Sequence, residues 1–318
     1  MKLTQRVICS LLLFLGWAVP STLFADPVTV TDGSADLRLR LNPLTVEVGR
    51  WSLPGPGGGP EETVAGTARV VAGPDGWRAD LDLGTGRLAA DRLAELWPLP
   101  VARMARNWFA NRVSGGVVLS PRLALRFRPG MDRPEVGVTF GFEGADVRAV
   151  DFMPPVTGAA GYGSLFDGRF AVRMDAGRMA PEGRGAVDLA GSTFSIPDTR
   201  QQPAKGVLDL AADGPLGSVL ALIDRPPLRL LDRVGRGPDL ATGRVTGTTR
   251  IALPLRRGVT PQDITYDANG EIRDFASDSA VPGRELAADR LAVTVDRQAI
   301  RAEGQATLDG VGFDGTWR

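Results

Sequence analysis

The chain alternates apolar and polar residues with period two over most of its length. Leu37, Leu39 and Leu41 lead into Val46 and Val48, with Asn42-Pro43 between them as a hairpin turn. Two more strands are predicted from Gly66 to Leu83, on either side of Gly73-Pro74-Asp75-Gly76. The pattern returns at Leu123, Leu125 and Phe127, at Val136, Val138, Phe140 and Phe142, and at Phe170, Val172 and Met174. It continues through Leu208 and Leu210, through Val245, Ile251 and Leu253, and through Leu291, Val293 and Val295. Alternation of this kind, bounded by Gly, Pro, Asp or Asn, builds antiparallel strands with one apolar face.

Two segments depart from the period. Leu93, Leu96 and Trp97 have helical spacing up to Pro98, whose ring cannot continue a helix. Val101, Met104, Ala105, Trp108, Phe109 and Val113 then form a second stripe, opposite Arg103, Arg106, Asn107 and Asn111. That predicts an amphipathic helix of about four turns, ended by Ser114-Gly115-Gly116, whose tryptophan packs on a wall. The second departure is Leu216 to Val234, a short helix broken at Pro226-Pro227.

The expected fold is therefore mainly β: a long twisted antiparallel sheet curled into an open groove, a helical pair at 88–113 and a broken helix at 216–234. Its segments are 1–25 as signal peptide or membrane anchor, 26–83 as hairpins, 84–116 as a helical clasp and 117–318 as groove modules. A weak echo relates Ala171, Val172, Asp175, Glu182, Gly183 and Asp188 to the residues 121 positions later, which raises a module repeat beside chance register.

The N-terminus sets the expected compartment. Lys2 and Arg6 precede an uncharged run from Val7 to Ala25. Cleavage after Ala25 and retention as a membrane span both fit that run, and either places the remainder outside the cytoplasm, in the periplasm. The one cysteine, Cys9, falls inside this segment. Beyond Ala25, 35 basic residues face 37 acidic ones, a balance that argues against a nucleic-acid surface.

Candidate chemistry is sparse. The chain has no histidine, which removes Ser-His-Asp, Cys-His and His-containing metal sites. Gly84-Thr85-Gly86-Arg87-Leu88-Ala89 has the outline of a dinucleotide loop, but antiparallel patterning follows it, so it reads as a strand-to-helix turn. Lys205 is the only lysine after Lys2, and it offers a poor partner for a serine nucleophile. Carboxylate pairs at Asp80 and Asp82, or Asp274 and Asp278, leave a glycosidase conceivable; solvated strand faces and loops account for them more simply. No cofactor is expected, and the chain is read as not an enzyme.

One ordered set of residues resembles a known family. Leu96-Trp97-Pro98, Arg106-Asn107-Trp108 and Gly115-Gly116 resemble the AsmA-like superfamily of bacterial envelope proteins, in particular its YhdP-type branch. Met153-Pro154-Pro155 with Gly158 and Gly161, Asp167-Gly168, Gly191-Ser192 with Ile196-Pro197, Leu222-Ile223-Asp224, Pro227-Leu228, Leu253-Pro254-Leu255, Tyr266 and Gly270 follow in the same order. The resemblance covers about Gly66 to Arg318 and departs in length, since family members are usually far longer. It implies a trough with an apolar interior that carries phospholipid between inner and outer membrane, or maintains the outer membrane, without catalysis. The partners it implies are phospholipid or another acyl-chain ligand, the bacterial inner membrane and envelope proteins. Val136, Val138, Phe140, Phe142, Phe170, Val172, Met174, Leu291, Val293 and Val295 are the expected lipid-groove lining. The alternative is a structural or regulatory envelope-assembly protein that works by protein–protein contacts through sheet edges.

Overall fold

The computed structural model describes residues 33–55, 59–97, 102–225, 229, 231, 235–256, 258–296 and 299–317. The expected signal or anchor at 1–25 lies outside them, as do Pro98, Val101 and the break at Pro226-Pro227. Among the described residues no helix is long and apolar enough to cross a membrane.

The chain is mainly β, with 18 strands in one antiparallel sheet and three α-helices among the described residues. It divides into two compact units, Met1–Phe140 and Gly141–Arg318, and the division falls inside one strand. The first unit holds β1 (Ser34–Leu41), β2 (Leu44–Leu53), β3 (Val64–Gly73), β4 (Gly76–Gly84), β5 (Arg87–Ala89), β6 (Val113–Ser114) and β7 (Val117–Phe127). It also holds α1 (Ala90–Leu96) and α2 (Arg103–Arg112), so the helical pair belongs to the same unit as the hairpins before it. β8 (Glu135–Val147) contains the division.

The strands after it are β9 (Val156–Phe166), β10 (Arg169–Met179), β11 (Val187–Asp188), β12 (Thr193–Ile196), β13 (Lys205–Pro215) and β14 (Thr242–Pro254). They continue with β15 (Thr265–Val281), β16 (Arg284–Val295), β17 (Ile300–Leu308) and β18 (Val311–Trp317), and α3 (Leu216–Ile223) follows β13. Each of these strands pairs with the next along the chain, except that β11 and β12 share one slot between β10 and β13. The two echoing segments differ locally: residues 171–188 run along β10 into a turn and β11, whereas 292–309 include the end of β16 and the whole of β17.

Register explains the amphipathic sheet in the first unit. Leu37, Val48, Ala68, Leu81 and Leu125 stand opposite one another in turn across β1, β2, β3, β4 and β7. Cross-strand partners share a face, so the row is one apolar stripe. One residue along, Arg38, Glu47, Arg69, Asp80 and Arg126 form a row on the other face in which charge alternates at every step.

The segment Gly84–Ala89 joins β4 to the short β5 before α1 begins. Gly86 donates its backbone N–H to the Glu61 carbonyl at 3.0 Å, and Thr85 donates to Pro121 at 3.2 Å. These amides are spent on the protein, consistent with a turn and not a phosphate cradle.

α2 differs from its expected form. Its described length is ten residues, and none of them is buried. Met104 is 80 % exposed and Trp108 46 %, so the stripe expected to pack inward faces outward at these two positions. The inward side is set by Phe109, whose ring centroid lies 6.1 Å from that of Trp97, and by Arg106, which donates from Nε to the Trp97 carbonyl at 3.1 Å. Gly115 and Gly116 follow with φ of 61° and 75°, the left-handed conformation that glycine adopts without steric cost.

Candidate functional site

The strongest candidate is the apolar face of the second unit. Gly163, Val172, Phe194, Leu208, Ile251 and Tyr266 stand opposite one another in turn across β9, β10, β12, β13, β14 and β15. The five side chains of this row are half-buried, neither sealed in a core nor standing free in solvent. Phe170 and Phe194 meet edge-on with ring centroids 6.4 Å apart, an arrangement that suits the aromatic quadrupole. A second row, Leu210, Thr249, Ala268 and Val295, runs beside the first from β13 to β16. A third contains Ala212, Gly247, Gly270 and Val293. Gly247 and Gly270 are partners there, so this row carries little side-chain bulk.

This face brings together six of the ten residues expected to line a groove. Phe170, Val172 and Met174 on β10 share a face with Leu291, Val293 and Val295 on β16, linked through β12–β15. On β8, Val136, Val138, Phe140 and Phe142 are half-buried on one side of the strand. Phe142 belongs to the second unit and lies against Gly161, the partner of Met174. Val136, Val138 and Phe140 belong to the first unit.

Two of the expected residues are covered by protein. Met174 packs with Met179, Leu210 and Val219 against the buried cluster of Val187, Leu189 and Leu222, so α3 covers that end of the face. Leu291 is 5 % exposed within a cluster with Leu286, Ala288 and Ala306. Phe194 and Tyr266 were missed as lining. Phe194 sits in a four-residue strand too short to show a period, and Tyr266 is the second residue of β15, with no alternation before it.

The opposite face is polar and tied up in ion pairs. Arg250 reaches Asp209 at 2.9 Å, Arg244 reaches Asp213 at 2.7 Å, and Glu271 lies between Arg273 and Arg290. The hydrogen bond from Arg273 holds the Glu271 carboxyl below the usual range. In the first unit, Asp80 and Asp82 do share a strand face, and they bind Arg128 and Arg126 at 2.7 and 2.6 Å. Each carboxylate is thus paired with a guanidinium, as on a solvated strand face.

Other chemistry is equally dispersed. Asp274 and Asp278 are both exposed on β15, and Lys205 is exposed at the start of β13. Among the described residues no group of three or more acidic or sulfur side chains could hold a metal ion. A shallow open depression lies along β17 and β18, lined by Glu303, Gln305, Asp314 and Thr316 with Gly304 and Gly315. It is polar, lacks a basic side chain and sits apart from the apolar rows.

Comparison with protein-family models, with curated proteins and with solved structures gives no match.

Proposed function

We propose that the chain is a non-catalytic periplasmic protein whose apolar sheet face carries phospholipid acyl chains, in transport between inner and outer membrane or in outer-membrane maintenance. The observation that carries this reading is the half-buried row from Val172 through Phe194, Leu208 and Ile251 to Tyr266. From β9 to β15 this stripe crosses six strands, about 24 Å at about 4.8 Å per step. One leaflet of a bilayer core is about 15 Å thick, half of about 30 Å, so the stripe is long enough for an acyl chain laid across the strands. Apolar contact along it removes the chain from water without directional bonds, which lets the ligand slide. The headgroup stays in solvent, and no step needs an acid, a base or a nucleophile. The resemblance to AsmA-like proteins supports the same reading.

A second reading, an envelope-assembly protein acting through protein contacts, draws on the outermost strands. Leu41 on β1 is 79 % exposed and Val311 on β18 is 71 % exposed. Strand edges of this kind pair readily with other chains.

Mass spectrometry of small molecules released from the purified protein separates the two. Phospholipid in the wild type, lost when Phe194 and Ile251 are both changed to Asp with secondary structure retained, supports carriage. A wild type free of lipid that cross-links only to proteins supports the second reading.

A further inference from the structure

The outward side of α2 combines two exposed apolar residues with cationic flanks. Met104 and Trp108 are one turn apart and lie next to each other on the solvent side. At 100° per residue, Arg112 falls on one flank of this pair and Arg103 on the other, with Asn107 and Asn111 between. The helix contains three arginines and no acidic residue. Its rotation is fixed from the inside, by the Trp97–Phe109 contact and by the Arg106 bond to the Trp97 carbonyl. On the neighbouring α1, Arg92 and Glu95 satisfy each other at 2.7 Å.

A solvent-facing helix surface needs neither tryptophan nor methionine, and a protein-packed one would hide them. An apolar centre with arginines at its sides matches the boundary between acyl chains and anionic headgroups, where tryptophan is favoured. We propose that α2 seats Met104 and Trp108 in the headgroup boundary of an anionic bilayer, with Arg103 against lipid phosphate. The assignment is independent of the acyl-carrying face, since it concerns one helix of the first unit.

The full chain is mixed with vesicles of phosphatidylcholine alone, or of phosphatidylcholine mixed equally with phosphatidylglycerol, each with and without bromine on the acyl chains. Bulk binding is not the readout, because the uncharged Val7 to Ala25 run has its own lipid affinity. Subtracting the emission of Trp108→Phe from that of the wild type isolates Trp108. At least twofold quenching of this difference signal is expected in brominated mixed vesicles, with little in brominated phosphatidylcholine. Arg103→Gln and Met104→Ser, both at exposed positions, should each weaken it while leaving the circular dichroism unchanged. Equal Trp108 emission with and without bromine overturns the proposal, and so does equal quenching in both lipid mixtures.

Discussion

Asp80 on β4 and Arg126 on β7 face each other in register, with Oδ1 and Nε 3.5 Å apart. They lie at the end of the row that begins at Arg38, in which every step joins opposite charges. Asp80→Arg places three arginines side by side at Arg69, position 80 and Arg126. Like charges directly opposite destabilise a sheet by up to about 1 kcal/mol, an effect that salt screens. Urea unfolding should therefore show a loss of about that size at low ionic strength, shrinking in 0.5 M salt, and a smaller loss for Asp80→Asn. A salt-independent loss would mean that packing, not charge, sets the row.

A methyl group at Gly66 on β3 would collide with the Asp82 carbonyl and touch the Trp51 ring. At Gly312 on β18 it would meet nothing within 4 Å. Gly66→Ala should cost about 2 kcal/mol or more in unfolding free energy, and Gly312→Ala within about 0.5 kcal/mol. Equal effects would contradict the close pairing of β3 and β4 at this point.

The Asp309 carboxylate, in the turn after β17, accepts from the Glu285 N–H at 2.9 Å and from Arg284 at 2.8 Å. The backbone bond first, and Arg284 second, hold its pKa below the ordinary value. The unfolded chain binds this proton more tightly than the folded one. The stabilisation is therefore complete above the unfolded value of about 3.9 and is lost as pH falls through the depressed folded value. Asp309→Asn should lower the melting temperature at pH 7, with the gap to wild type closing on acidification below about pH 4. A gap that persists undiminished in acid would rule out this carboxylate as its source.

Phe109→Ala removes the contact that orients α2 and should free that helix without unfolding the sheet. Hydrogen exchange of the α2 amides is expected to accelerate while β3 and β4 keep their protection, the pattern of local opening. Loss of protection in both would show that the helical pair is integral to the stability of the first unit.

The hairpins were legible because their turns carry their own chemistry. Asn42-Pro43 and Gly73-Pro74-Asp75-Gly76 each separate two alternating runs, and the strands end where these residues begin. The rotation of α2 was not legible, because Met104, Trp108 and Phe109 count equally in a helical period. Only the tertiary contact between Phe109 and Trp97 decides which of them turns inward. The candidate face was half legible. Each strand revealed its apolar side, but a single extra residue exchanges the faces of everything after it. The ladder shifts register between Met174 and Ala176 and again between Thr242 and Arg244, and neither irregularity is marked by the alternation. That β10 and β16 turn their apolar sides the same way became visible only through the pairing of β12 to β15.

Arg250 and Ile251 are adjacent on β14 and point to opposite faces, one opposite Asp209 and Asp267, the other opposite Leu208 and Tyr266. The most direct test of acyl-chain carriage is to place a photo-activated cross-linking residue at each position in turn, irradiate living cells and weigh the purified protein. The account predicts adducts of phospholipid mass at position 251 and none at 250. No lipid adduct at 251, or equal yields at the two positions, would contradict it.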